Sequence, residues 1–133
     1  MTIFVDTSAL NAVLDRDDDL HSAARETWVR ILSGDDQLLT SNYVILESWA
    51  LVRNRLGMDA VRALIDEVLP VIRVHWITGE DHVGAVQAVL AGDRRDLSLV
   101  DCSSCVVMRR LGLRDAFTFD EDFGEQGFGT LPS

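Results

Sequence analysis

Asp6, Glu47, Asp101 and Asp120 lie far apart in a 133-residue chain, yet each falls where the local pattern ends a strand or begins a helix. Asp6 follows the apolar run Ile3-Phe4-Val5, Asp120 follows Phe117-Thr118-Phe119, and Asp101 sits just inside a helix that opens near Ser98. Acids in such places can share one sheet edge. Carboxylates gathered there repel one another until a cation neutralises them, and Mg²⁺ or Mn²⁺, which prefer oxygen ligands, suit such a group. A divalent ion so held activates water and offsets the charge that builds on a phosphate during in-line displacement, so the protein need supply no nucleophile of its own. The ordinary reading of Asp101 or Glu47 taken singly is a helix cap, because acids are common in first helical turns. Four acids in register weaken it. The hydroxyls of Thr7 and Ser8 have two readings: helix N-caps, or groups that orient a carboxylate or touch phosphate.

The elements that must position these acids alternate between strand-like and helix-like patterns. A strand over about 3–5 leads into a helix carrying Leu10, Val13 and Leu14 on one face. Asp17, Asp18 and Asp19 open a second helix, whose apolar positions recur at helical spacing as far as Gly34. A short strand at 38–40 leads through Ser41-Asn42 into a helix that holds Glu47 and stops at Gly57. Asp59 caps another, ended by Pro70. Residues 71–77, rich in β-branched and aromatic side chains, read as a strand, and Thr78 then opens a helix to Gly92. The polar stretch 92–96 reads as a loop. Ser98 and Asp101 have capping-box spacing for a helix ending at Gly112; residues 115–119 form the next strand, and 128–131 a short edge strand. The pattern predicts a single α/β domain spanning 1–133, with a parallel central sheet flanked by helices. Right-handed crossovers would bring Asp6 and Asp120 to the same carboxyl edge.

Composition narrows the chemistry. The formal charge is -10, which argues against a broad basic face for nucleic acid, and all 12 cationic residues are arginine. Without lysine, a P-loop and a phospho-receiver site are excluded, and a haloacid-dehalogenase-type phosphatase would also need an Asp where Ser8 stands. Arg53, Arg55, Arg94, Arg95, Arg109 and Arg110 flank the acid positions and are candidates for holding phosphates, although the ordinary reading of each is a solvated surface arginine. Cys102-Ser103-Ser104-Cys105 has redox-pair spacing, but no second cysteine pair completes a zinc site, and buried small residues are the better reading. His21, His75 and His82 are scattered, and Trp28, Trp49 and Trp76 suit core or interface packing. No apolar run approaches the roughly 20 residues needed to cross a bilayer, and the first residues carry no basic leader, so the expectation is a cytoplasmic chain with no membrane contact.

Phe4-Val5-Asp6-Thr7-Ser8-Ala9-Leu10, Ile45-Leu46-Glu47, Leu97-Ser98-Leu99-Val100-Asp101-Cys102 and Phe117-Thr118-Phe119-Asp120-Glu121-Asp122-Phe123 together resemble the PIN-domain ribonucleases, over nearly the whole chain and in order. The nearest likeness is to the toxin component of prokaryotic VapBC-type toxin-antitoxin pairs. The resemblance implies that Asp6, Glu47, Asp101 and Asp120 form the family's acidic quartet, with Asp122 as an auxiliary acid. Asp6 and Asp101 are then expected as direct ligands of Mg²⁺, for which Mn²⁺ can substitute, with Glu47 and Asp120 holding a second ion or bound waters and Asp122 farther out. It further implies an RNA substrate cut to leave 5′-phosphate and 3′-hydroxyl ends, a cognate antitoxin that covers the groove and places an arginine among the carboxylates, and a homodimer. The alternative is a catalytically silent PIN-like module that binds RNA or protein without cutting; the intact quartet argues against it.

Overall fold

The computed structural model describes residues 1–92 and 97–133. The chain runs β1 (Thr2–Val5), α1 (Thr7–Leu14), α2 (His21–Ser33), β2 (Gln37–Ser41), α3 (Asn42–Leu56), α4 (Met58–Ala63), β3 (Arg73–His75), α5 (Gly79–Ala91), α6 (Leu99–Leu111), β4 (Asp115–Phe117), α7 (Glu121–Glu125) and β5 (Gly129–Leu131). The five strands form one sheet in the order β3-β2-β1-β4-β5, and every neighbouring pair is parallel. Such a sheet needs a cover on both faces, which explains why the central strand β1 is an unbroken apolar run, with Ile3, Phe4 and Val5 all buried. Phe4 pairs with Leu39 on one side and Ala116 on the other, so β1 lies at the centre of the core.

That strand order contains a switch point. From β1 the chain steps outward to β2 and β3, then returns to β4 on the other side of β1 before reaching β5. The crossovers on the two sides therefore diverge beyond the carboxyl ends of β1 and β4, and a crevice opens there. The backbone amide of Asp6 still donates to the Phe117 carbonyl at 3.0 Å, so the two strand ends that border the crevice are tied together.

Several boundaries differ from those the pattern predicts, each for a local reason. The acids at 17–19 lie in a turn ahead of α2, which starts at His21; Asp18 accepts from the Leu20 amide at 2.8 Å and supports that turn. After α4 the helix widens into a π turn at Leu64–Val68 and tightens into a 3-10 turn at Leu69–Val71, with Pro70 inside it, so β3 is shorter than the β-rich stretch 71–77. Leu113 and Phe119 flank a fourth strand cut to Asp115–Phe117, because Thr118 and Asp120 turn the chain into α7, a helix the sequence pattern does not reveal. The expected loop at 92–96 falls almost wholly outside the described residues. Gly84 on α5 lies against Val106 of α6, where an added Cβ would sit 3.5 Å from its methyl in ordinary contact, so the packing of these helices does not itself require glycine. Among the described residues no helix is long and apolar enough to cross a membrane.

Candidate metal centre and active-site cleft

Asp6 caps α1 and is 3% exposed. The Ser8 hydroxyl donates to its Oδ2 at 2.8 Å, the Thr118 hydroxyl at 2.9 Å, and the Ser8 amide at 3.4 Å. All three of these bonds converge on Oδ2, and the Thr7 backbone amide also supports the carboxylate. Burial pushes the carboxyl up to about 6; the Ser8 and Thr118 bonds pull against that rise and the nearby Asp101 charge adds to it. A buried acid whose charge is opposed by its surroundings is suited to a neighbouring cation.

The same two hydroxyls carry the arrangement across to the far strand. Ser8 accepts from the Phe119 amide at 2.9 Å and Thr118 from the Asp120 amide at 3.0 Å, which sets the course of the chain into α7. Asp120 caps that helix through the Asp122 amide at 2.9 Å. Asp101 lies in the first turn of α6 and forms a reciprocal capping box with Ser98, each bond 3.1 Å. The cap reading and the cluster reading of Asp101 are thus compatible. Asp101, Asp120 and Asp122 each offer a carboxylate oxygen within 4.8 Å of the others, and all three are half-buried. Asp122 thus lies beside Asp101 and Asp120.

Asp6, Glu47, Asp101 and Asp120 all line one cleft of about 430 Å³ outside the carboxyl ends of β1 and β4. Glu47 reaches it from α3 and is half-buried. Thr7 and Asn11 of α1, Leu51 and Arg55 of α3, and Asp18 and Leu20 of the turn before α2 complete much of the wall. Of the six arginines marked by sequence, Arg55 is the one described residue that lines the cleft. Arg110 pairs with Asp81 and Glu80, while Arg109 bonds Gln126 and lies over the Phe128 ring at 5.2 Å. Arg53 is exposed outside the cleft wall, and Arg94 and Arg95 lie outside the described residues.

Sequence reasoning left Thr118 and Asn11 without roles. Thr118 read as one more β-branched strand residue; only its place between the ends of β1 and β4 makes it a second anchor for Asp6. Cys102 and Cys105 are buried free thiols, and burial raises both, Cys105 to about 11, which leaves little thiolate for redox chemistry. The histidines hold structural bonds: His21 to the Ala12 carbonyl, His75 to Asp81, and His82 to Tyr43.

An open parallel sheet with a carboxylate cluster at its switch point defines a class of α/β protein whose chemistry is done between strand ends, and residues 3–129 match the PIN-domain family model. The chain belongs to the PIN-domain family. Among particular relatives, it is 36% identical over 127 residues to the 23S rRNA-specific endonuclease VapC20 of Mycobacterium tuberculosis, covering 95% of each chain. The crystal structure of that VapC20, described as a sarcin-ricin loop cleaving toxin, superposes with a TM-score of 0.86 at 35% identity and 95% coverage of both chains. FitAcB from Neisseria gonorrhoeae has a TM-score of 0.67 at 14% identity, covering 98% of this chain and 96% of that one. VapBC2 from Rickettsia felis, bound to a DNA fragment from its promoter, has 0.65 at 9%, covering 98% and 97%. These last two likenesses concern the fold.

Proposed function

We infer that the protein is an endoribonuclease toxin that hydrolyses phosphodiester bonds of RNA, with 23S rRNA and its sarcin-ricin loop as the substrate. The observation that carries this reading is the acid-lined cleft at the β1–β4 switch point, in a chain 36% identical to a 23S rRNA-specific endonuclease over 95% of both lengths.

Mg²⁺, with Mn²⁺ as a substitute, is the cofactor the donor set favours, since the cleft offers carboxylates and no sulfur or imidazole ligand among its described residues. Asp6 and Asp101 are assigned as direct ligands, and Glu47, Asp120 and Asp122 as the acids that hold a second ion or its waters. When bound, the ion supplies Lewis acidity to the scissile phosphate and to the attacking water. The chain's own part is positional. Ser8 and Thr118 keep Asp6 Oδ2 fixed and so orient Oδ1, the Ser98 box holds Asp101 at the mouth of α6, and Asp120 is locked by the turn into α7. Glu47 lines the same cleft from α3, so a phosphate entering it meets carboxylates from four separate segments of the chain.

The acidic surface suits a basic protein partner, and an antitoxin segment that places an arginine among the carboxylates would block the site. A homodimer is also proposed. Leu46 is 71% exposed on α3 and Trp76 is 70% exposed beyond the edge strand β3. The Asn42 side chain accepts from the Ile77 amide and Tyr43 meets His82, so these residues form one neighbourhood whose large apolar groups a second copy would cover.

The test is cleavage of a panel of structured RNAs that includes the sarcin-ricin hairpin, using protein freed of any partner, with Mg²⁺ or Mn²⁺. Loss of cutting with EDTA and in Asp6→Asn and Asp101→Asn supports the reading. Equal cutting by wild type and both variants would sink the site, and no cutting with metal still bound would favour a silent binding module.

A further inference from the structure

Beyond the acid cluster, the cleft extends between α1 and α3 into a stretch that phosphate hydrolysis does not require. Glu47, Leu51 and Arg55 follow one another along α3 at four-residue spacing, and all three line the cleft. The rise along a helix places Arg55 about 12 Å from Glu47, enough to reach past the scissile phosphate. Thr7 and Asn11, one turn apart on α1, line the same cleft, as do Asp18 and Leu20 of the turn before α2. Asn11 is 7% exposed, and its side-chain oxygen is buried without any hydrogen-bond partner. The Thr7 hydroxyl beside it on the helix is likewise buried and unpartnered. A buried polar atom left unmet costs stability and needs an explanation.

Resting on the endoribonuclease reading, we propose that Asn11, Leu51 and Arg55 form a subsite for the nucleotide flanking the scissile phosphate. Arg55 takes that nucleotide's phosphate through its planar fork, Leu51 supports the sugar or base, and the Asn11 amide meets a hydrogen-bond donor on the nucleotide. An ionised phosphodiester offers only acceptors, so it matches Arg55 and leaves the Asn11 oxygen unsatisfied. The ribose 2′-hydroxyl or an exocyclic base amine provides the missing donor. A half-turn about χ2 exchanges the two ends of the carboxamide without backbone movement. The subsite thus adds recognition of ribose or base to a centre that otherwise contacts only phosphate.

The experiment uses the full chain with Mg²⁺ and a sarcin-ricin hairpin RNA carrying single 2′-deoxy substitutions, or single replacements that delete a base amine, at the nucleotides on either side of the cut. With wild type, one such change should lower kcat/KM about five- to tenfold. Asn11→Ala should lose the same factor on unmodified RNA and become indifferent to that change, and a base arm or ribose arm that responds identifies the donor. Its Tm should hold or rise, because it removes an unpartnered buried oxygen from a helix. Arg55→Ala should raise KM with kcat kept, and reduce the salt slope by about 1. If Asn11→Ala keeps the wild-type pattern at every position, the subsite is overturned while cleavage stands; a lowered Tm with that pattern assigns Asn11 a structural role. If wild type cuts no RNA, the endoribonuclease reading falls and the subsite falls with it.

Discussion

Replacing Asp6 with asparagine should make the metal-free protein more stable at neutral pH while ending its activity. The carboxyl is buried and its pKa rises from 3.8 to about 6. At ~1.36 kcal/mol per pKa unit, holding this group ionised in the fold costs roughly 3 kcal/mol. Between those two values the folded chain binds a proton that the unfolded chain has released, so stability falls as pH rises through about 4 to 6 and is level above. Asp6→Asn removes the titration. Its carbonyl can keep the bonds from Ser8 and Thr118, while its NH₂ faces the cleft in place of Oδ1, so a constant difference between the proteins is set aside and the pH-dependent part is read. Urea or thermal unfolding of EDTA-treated proteins from pH 4 to 8 should show the variant gaining up to ~3 kcal/mol on wild type, roughly 11 °C in Tm for a domain of this size. Mg²⁺ should return stability to wild type and do little for the variant. Parallel curves from pH 4 to 7.5 would refute the reasoning, because they would mean that Asp6 is not strained by its burial.

Asp81 should behave in the opposite sense. Burial raises its pKa, but the Thr78 amide, His75, the Thr78 hydroxyl and Arg110 outweigh burial and hold it down to about 2, so its stabilisation is present above 3.8 and lost as pH falls through 2. Asp81→Asn should cost about 2 kcal/mol at pH 7 in urea unfolding, leave kcat unchanged, and flatten the acid limb; an unchanged acid limb contradicts this. Glu47→Gln should weaken Mg²⁺-induced stabilisation and cleavage together, and Asp122→Asn should lower metal affinity by about 10- to 100-fold; normal titrations would remove that residue from the centre. Leu46→Glu combined with Trp76→Glu should shift the mass in solution from dimer to monomer with an unchanged circular dichroism spectrum, and a wild-type chain that is already monomeric at micromolar concentration rules out the proposed interface.

Much of the architecture was legible because parallel strands and amphipathic helices write their burial into local periodicity. Ile3-Phe4-Val5 could be recognised as a doubly covered strand, and Ser98 with Asp101 as a capping box, from side-chain types alone. Element ends were harder to place. The acids at 17–19 look like an N-cap but brace a turn, and the β-branched stretch 71–77 starts in a 3-10 turn, because packing against neighbours overrides propensity at boundaries. The short α7 had no periodicity to announce it; Thr118, bonded across to Asp6, receives the Asp120 amide, and Asp120 then caps the helix.

By itself, the sequence determined the class of chemistry: acids after apolar strands and in helix first turns, no lysine for the rival phosphate enzymes, and one domain's length of alternating elements. Those are properties of residue types and local spacing, and they survive without any knowledge of contacts. Tertiary structure alone decided how the acids meet. The reversal of strand order beside β1 brings Asp120 and Thr118 to Asp6, and the Ser8 and Thr118 hydroxyls select one oxygen of that carboxylate. It also separated Arg55, which lines the cleft, from Arg109 and Arg110, which hold the fold, and it left the Asn11 oxygen unpartnered in the wall. Such distinctions depend on groups more than a hundred residues apart, as with Asp6 and Thr118, and no local pattern encodes a distance across the sheet.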